Sequence, residues 1–367
     1  MAPTHRPAKP VLLLAVVTMV AGEGDKSRPV RWGVMGTGTI ASDFVRVLKS
    51  LPDVEVAAIG SRTAEKAETF ASVAGVSSAA LHPTYEDLVA DDTLDIVYIA
   101  TPSSRHVEDS LACLEAGRAV LCEKSMAGTA EQAARVLEKA RSQELFFLHG
   151  VWSRFFPAMA ELRRVIESGA IGEVCSVHAS FCQNDGAGSC SAMAETGIYC
   201  AQFLLWVYGG VSPTVQGVAY SLDPQTGHDT HVSANLQWPC GGVGSFECSL
   251  RHPSPRSATI CGTKGVIEVP FPFWCPDRFT VQTMDGLGSQ TFGKRDEHIF
   301  PLPEIDAPGS ADAERDFNFV NSQGLRYEAA EATRCLREGA LESELFSSDE
   351  CLRVMQLVSE IRASFKA

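Results

Sequence analysis

Positive charge is the first shortage. Against 45 Asp and Glu, this 367-residue chain sets only 31 Lys and Arg, a formal net charge of −14. That balance argues against nucleic acid or an anionic membrane surface as the main partner, because both need a basic face. It does not exclude a nucleotide cofactor, which needs only local positive charge. Cysteine itself is plentiful, at 12 residues, but it is scattered from Cys113 to Cys351. No Cys-x-x-Cys pair and no Cys/His cluster at zinc spacing is present. The chain therefore reads as one of free thiols in a reducing compartment, without a disulfide framework. His178, His228, His231 and His252 share no repeated ligand spacing, so they read as structural or surface residues and no metal is expected. Also missing are the Gly-x-Ser-x-Gly nucleophile turn, the phosphate-binding P-loop and the His-Glu-x-x-His zinc motif. After the first 29 residues nothing resembles a bilayer-spanning run.

The length suits two domains, and a hydrophobic content of 45% supplies their cores. Residues 1–29 stand apart as an N-terminal extension. There His5, Arg6 and Lys9 precede the apolar run Val11–Gly22 and then the polar Glu23–Ser27. The pattern fits either a disordered extension of a cytoplasmic protein or a secretory or organellar targeting segment.

The most informative stretch is Val30–Ala41, an apolar strand, a glycine turn and a helix start. Gly36, Gly38 and Ala41 fit the Gly-x-Gly-x-x-Gly/Ala dinucleotide fingerprint. Gly36 allows the tight turn, Gly38 lets a pyrophosphate approach the backbone, and Ala41 lets the helix lie on the strand. The pyrophosphate would rest on the helix N-terminus among Thr37, Thr39 and Ile40, where unpaired N–H groups favour negative charge. The next apolar run, Val54–Ile59, ends in Gly60-Ser61-Arg62, where such folds usually carry an acidic residue for the ribose 2′-hydroxyl. None is present. A carboxylate there would repel a 2′-phosphate, whereas Arg62 can pair with one and Ser61 can add a donor, so NADP is expected over NAD.

Further apolar strands at Ile96–Ala100, Ala119–Cys122 and Leu145–His149 alternate with helical segments. This is the rhythm of an α/β, doubly wound parallel sheet over residues 30–150. Beyond Gly150 the runs Val174–Phe181, Thr214–Tyr220, His231–Trp238, Gly242–Ser249, Ala258–Cys261 and Val266–Val269 alternate between Gly and Pro turns. They predict a second, α+β domain over 151–367 with an open, mostly antiparallel sheet. Tyr199–Val207, Tyr327–Gly339 and Ser348–Phe365 read as helices, the last two at the end of the chain, where they can pack back on the first domain.

Ligands in doubly wound sheets sit outside the carboxyl ends of the strands. That rule selects Gly36–Ile40, Ser61-Arg62, Thr101–His106 and Glu123-Lys124. Lys124, directly after a buried strand, can hold a substrate hydroxyl and lower the pKa of a nearby phenol, or simply pair with Glu123. On pattern alone His106 is equally a pocket donor or a helix-start residue, and Tyr199 reads as a core tyrosine.

Taken together, Ala119–Lys124, Trp152-Ser-Arg-Phe-Phe-Pro157, Gly197-Ile-Tyr-Cys200, Gly262-Thr-Lys-Gly265 and Trp274-Cys-Pro276 resemble the glucose–fructose oxidoreductase/inositol dehydrogenase (Gfo/Idh/MocA) family, from about Arg31 to the last helix. The resemblance implies a Rossmann domain followed by a sheet domain that often forms the homodimer interface. It also implies an NADP-dependent oxidation of a secondary alcohol or sugar hemiacetal, such as a trans-dihydrodiol or a D-xylose-like aldose. Inositol or another sugar as substrate, or a non-catalytic NADP-binding sensor, are the alternatives. It places Lys124 beside the nicotinamide and makes Tyr199 the general acid/base, its pKa lowered by Lys124. His106 falls in the cofactor and substrate pocket, Arg62 on the 2′-phosphate, and Trp152, Arg154 and Trp274 along the substrate pocket. Three departures stand out: Ser125 replaces a proline after Lys124, Glu195 stands where an Asp is usual with Cys190-Ser191 before it, and the loop Gln183–Ser189 is short.

Overall fold

The computed structural model describes residues 28–184, 186, 188, 190–284, 286, 291–305 and 317–365. Nearly all of the N-terminal extension, and residues 185, 187 and 189 of the short loop, lie outside the described residues. Among the described residues no helix is long and apolar enough to cross a membrane.

The first half is built from β1 (Val30–Met35), α1 (Thr39–Leu48), β2 (Val54–Gly60), α2 (Ala64–Ala74), β3 (Ala80–His82), α3 (Tyr85–Ala90), β4 (Ile96–Ile99), α4 (His106–Glu115), β5 (Ala119–Glu123), α5 (Ala130–Ser142) and β6 (Phe147–Gly150). The strands form one parallel sheet in the order β3-β2-β1-β4-β5-β6, the Rossmann arrangement. Helices cover both faces, so β4, β5 and β6 are buried along their whole length and read as continuous apolar runs. Thr63 and Thr129 cap α2 and α5 through their side-chain oxygens, which accept the N–H groups of Lys66 and Gln132.

The second half begins with α6 (Pro157–Glu167), β7 (Val174–Cys182) and α7 (Ile198–Val207). The strands β8 (Thr214–Leu222), β9 (Asp229–Gln237), β10 (Val243–Ser249), β11 (Ala258–Gly262), β12 (Gly265–Val269), β13 (Arg278–Met284) and β14 (Phe292–Ile299) follow. With β7 they form an eight-stranded sheet in the order β14-β13-β12-β11-β7-β10-β9-β8. Every pairing is antiparallel except β7 with β10. All ten residues of α7 are buried, because this helix packs on β7 and β10 and also against the C-terminal helix.

The chain ends in α8 (Leu325–Glu338) and α9 (Ser348–Ala363), which return to the first half and pack along α1 and α5. Buried Asp43 on α1 ties down the approach to α8. Its Oδ1 accepts the Asn318 N–H at 3.1 Å and the Asn318 amide at 2.6 Å, and its Oδ2 accepts the Phe319 N–H at 3.2 Å. On α9, the Ser359 hydroxyl accepts the Ala130 N–H at 2.8 Å.

Three strands go beyond the sequence reading. β3 is a three-residue edge, mostly exposed. β14, Phe-Gly-Lys-Arg-Asp-Glu-His-Ile, is a charged edge with no buried position. β13 pairs β14 to the rest of the sheet. Short or charged edges protect a sheet from wrong pairing and erase its apolar signal together.

Candidate active site

The strand ends of the first sheet and one wall of the second half enclose a cleft of about 770 Å³. Ile40, Thr101, His106, Glu123 and Lys124 line it from the first half. Trp152, Phe181, Glu195, Tyr199 and Trp274 line it from the second.

Local folding sets each side chain. The segment before α7 is already helical from Ala192 and opens into a wider π turn over Met193–Gly197. Buried Asp229 caps it, accepting the Ser191 hydroxyl and the Met193 N–H, both at 2.7 Å. Gly197 lets this helix lie on β10, since a Cβ there would come within 2.8 Å of the Cys248 and Met193 sulfurs. A π turn adds a residue to the ring closed by each hydrogen bond and frees a carbonyl. The Glu195 carbonyl faces Lys124, which donates to it from Nζ at 3.3 Å.

Lys124 leaves β5 through a cis peptide to Ser125. Its Nζ also donates to Glu195 Oε1 at 2.6 Å, and the ammonium holds the Glu195 carboxyl below its usual pKa. Behind it, buried Glu123 accepts the Tyr98 hydroxyl at 2.6 Å and the Lys124 N–H at 3.1 Å. Burial raises the Glu123 pKa against the lowering by Tyr98 and Lys124. Glu328 on α8 is fully buried, and neither carboxyl oxygen has a hydrogen-bond partner among the described residues. Burial first, and Glu123 second, push its pKa well above the usual carboxylate range.

Tyr199 is 5% exposed, and its Oη accepts the Trp152 indole N–H at 2.7 Å. That leaves the phenol proton free to point into the cleft. Trp274 stacks on Phe181 at 3.9 Å, and Phe181 lies 5.8 Å from the Tyr199 ring. One expectation needs correction here. The Tyr199 pKa is raised, not lowered, and the Lys124 ammonium, 5.8 Å from the phenol ring centroid, is bound to Glu195. Burial, then Glu123, holds the phenol well above its ordinary pKa, and the Trp152 hydrogen bond is the lowering influence.

Arg154 also needs correction. It stands outside the cleft lining. Its buried guanidinium pairs with Glu350 at 3.0 Å and lies 4.7 Å above the Phe346 ring. Trp152–Phe155 is a 3-10 turn, in which side chains rotate by about 120° per residue. Trp152 therefore points into the cleft while Arg154 points to α9.

His106 reaches the cleft edge, but its ring nitrogens are occupied. Nδ1 lies 2.9 Å from the Ser125 carbonyl and Nε2 2.8 Å from the Thr101 carbonyl. Burial lowers its pKa against the pull of both carbonyls. A neutral ring can donate to only one of them. The residue thus ties the loop after β4 to the loop after β5. The Thr101 hydroxyl is likewise engaged, donating to Asp109 at 2.6 Å.

The glycine turn fits a dinucleotide. Gly36 has φ +111°, and a Cβ there would lie 2.7 Å from the Ala100 carbonyl oxygen. Gly38 faces open space, and α1 has neither a side-chain cap nor an acidic residue in its first turn. Its N–H groups are left for an anion. Ser61 is buried at the end of β2, and Arg62 beside it is exposed. Thr37 and Thr39 border the turn, half-buried and exposed respectively.

Sequence reading did not single out Phe181, Arg256, Phe271 and Asn318–Val320, which also line the cleft. Phe181 sits at the end of β7 and the others on segments between elements, and only Trp274, close to Phe271 in sequence, hinted at that wall. Elsewhere Cys182, Glu247 and His252 place ligand atoms within 4.8 Å of one another, and His231 Nε2 lies 3.0 Å from Glu247.

Residues 30–150 match the oxidoreductase family with an NAD-binding Rossmann fold, and residues 159–268 match the GFO/IDH/MocA C-terminal domain. The trans-1,2-dihydrobenzene-1,2-diol dehydrogenase of Sus scrofa is 35% identical over 346 residues, which cover 91% of this chain and 96% of the pig protein. The enzyme of the same name from Mus musculus is 36% identical, covering 91% and 96%. Among solved structures, KijD10, a 3-ketoreductase from Actinomadura kijaniata in complex with NADP and TDP-benzene, aligns with a TM-score of 0.76 at 21% identity. The alignment covers 92% of this chain and 98% of that one, and shows a shared fold.

Proposed function

From the premise that this chain belongs to the Gfo/Idh/MocA oxidoreductase family, we propose that it is an NADP-dependent dehydrogenase of a secondary alcohol or sugar hemiacetal. Trans-dihydrodiols and D-xylose-like aldoses head the candidates. NAD(P) binding belongs to the Rossmann half; the preference for NADP is our reading of Ser61 and Arg62. The homodimer, through the face of the second sheet away from α7, is part of the same proposal.

The observation that carries it is the convergence of Lys124, Glu195, Trp152 and Tyr199 in one cleft with the carboxyl ends of β4 and β5. Gly36–Ile40 would hold the dinucleotide, its pyrophosphate on the open N-terminus of α1, with Ser61 and Arg62 at the 2′-phosphate. When bound, the nicotinamide supplies the hydride acceptor. Every other task falls to side chains. Tyr199 exchanges the proton of the reacting oxygen. Trp152 steadies the phenolate that oxidation requires. Lys124, oriented by Glu195, donates to a substrate hydroxyl, and the Phe181/Trp274 pair gives the substrate's carbon skeleton a flat wall. His106 and Thr101 hold the loops on which Lys124 and the cofactor edge sit. Because burial keeps the Tyr199 phenol protonated, carbonyl reduction uses the form present at neutral pH, while oxidation speeds up as pH rises.

The test is turnover by purified protein with NADP or NAD on D-xylose, a trans-dihydrodiol and an inositol. NADP-linked oxidation of at least one is expected. Tyr199→Phe removes about 10²–10⁴-fold of it while sparing cofactor binding. NADPH binding without any turnover across the panel refutes the enzyme, and unchanged turnover in Tyr199→Phe refutes the assigned acid/base.

A further inference from the structure

The wall of the cleft opposite the cofactor edge carries a cation that the proposed chemistry does not use. Arg256 lies between β10 and β11 and lines the cleft. Its φ is +53°, a left-handed conformation that is costly for a long side chain. Neighbours pin it there: its N–H donates to the Ser254 hydroxyl at 3.2 Å, and its carbonyl accepts the Phe273 N–H at 3.4 Å. The guanidinium sits 4.4 Å from the Phe271 ring centroid and 5.9 Å from that of Trp274. Nε is buried and has no hydrogen-bond partner among the described residues.

The other cations near the site are neutralised. Lys124 pairs with Glu195, and Arg154 with Glu350. No described carboxylate pairs with Arg256. From it the aromatic surface runs through Trp274 and Phe181 to Tyr199. The cleft therefore offers a proton-transfer group, an aromatic wall that leads away from it, and along that wall a planar cation that no described carboxylate pairs. Aromatic faces hold a guanidinium in place without consuming its hydrogen-bond donors.

We propose that the substrate carries an anionic group, a carboxylate in the first instance, on the side remote from the reacting hydroxyl, and that Arg256 selects it. A guanidinium fork matches a carboxylate in two parallel hydrogen bonds, and phosphate offers the same geometry. The inference rests on the cleft being the substrate site of the proposed dehydrogenase. Within the diols and sugars already proposed, it adds a preference for members that carry an acidic group over their neutral counterparts.

The experiment reads binding and so does not depend on turnover. The protein–NADPH complex is titrated calorimetrically with D-glucose, D-glucuronate and glucose 6-phosphate. One or both anions should bind about 10- to 100-fold more tightly than glucose. The tighter of the two identifies the group as carboxylate or phosphate. Arg256→Gln abolishes that preference, leaves glucose and NADPH affinities within about twofold, and Arg256→Lys restores part of it. Equal binding of all three, or of none, overturns the proposal. An equal loss for glucose and the anions in Arg256→Gln makes the residue a packing element. Weakened NADPH binding in that variant assigns the cation to the cofactor instead. Loss of dehydrogenase turnover on every substrate, with the anion preference intact, would count against the proposed reaction and not against this subsite.

Discussion

Trp152→Phe isolates the hydrogen bond that Trp152 gives to the Tyr199 oxygen. Phenylalanine keeps a ring against Phe156, which Trp152 meets edge-on at 5.5 Å, and deletes only the N–H that reaches Tyr199 Oη at 2.7 Å. A hydrogen bond to a neutral partner is worth about 1 kcal/mol and one to a charged partner about 1.5–3 kcal/mol. The difference, about 0.5–2 kcal/mol, is what Trp152 gives the phenolate over the phenol. At about 1.4 kcal/mol per unit, losing it raises the Tyr199 pKa by about 0.4–1.5 units. This adds to a pKa that burial already holds high. The assay is the pH dependence of kcat/KM for alcohol oxidation at saturating NADP. The rising limb should move to higher pH by about one unit, so that kcat/KM at a fixed pH below it falls about 3- to 30-fold. NADP affinity should not change. In a Tyr199→Phe background the same substitution should cost nothing further, because the pair acts as one unit. A limb that stays in place while the rate falls would show that Trp152 shapes the cleft without tuning the phenol, and would refute the reasoning.

Arg62→Ala should weaken NADP binding by about 10- to 100-fold and leave NAD within about twofold; equal losses in a fluorescence titration would remove Arg62 from the 2′-phosphate. Glu328→Gln should stabilise the protein, increasingly so as pH rises. The folded-state pKa of Glu328 is raised by burial, so wild-type stability is fully present below the unfolded carboxyl pKa, about 4.3, and is lost as pH climbs toward the folded value. The Tm gap between variant and wild type should widen from about pH 5 to about pH 8, and a constant gap would contradict the assignment. His149 runs the other way: burial depresses its pKa to about 3, so stability is lost as pH falls below about 6.5, by up to about 1.4 kcal/mol per pH unit. His149→Asn should flatten this acid slope in pH-dependent denaturation, even if it lowers stability at neutral pH, and an unchanged slope would assign acid sensitivity elsewhere.

The parts of this molecule that sequence made legible are those where burial acts on whole runs. β4, β5 and β6 are covered on both faces and could be found by composition alone. The Gly36 turn was found because its neighbour's carbonyl leaves no room for a Cβ. β3 and β14 were invisible because an edge strand carries no apolar signature. Lys124 was legible for a related reason: it follows directly on a buried strand, where the sheet itself aims it. The role of Glu195 depends on a π turn, which no residue pattern announces.

The two arginines make the same point more sharply. Arg154 stands two positions after Trp152 in sequence, whereas Arg256, separated from Phe271 and Trp274 by β11 and β12, has no aromatic neighbour in the chain. By residue type they are interchangeable candidates for a pocket. Arg154 has its carboxylate, Glu350, 196 positions away on α9, and burial against Phe346 makes that pairing obligatory, because an unpaired guanidinium there would be prohibitively costly. Arg256 is held by rings with no described anion beside it. What distinguishes a structural cation from a ligand-binding one is thus the presence of a distant counter-charge. That depends on which helix returns to which sheet, so it becomes readable only once α9 has closed over the first half of the chain.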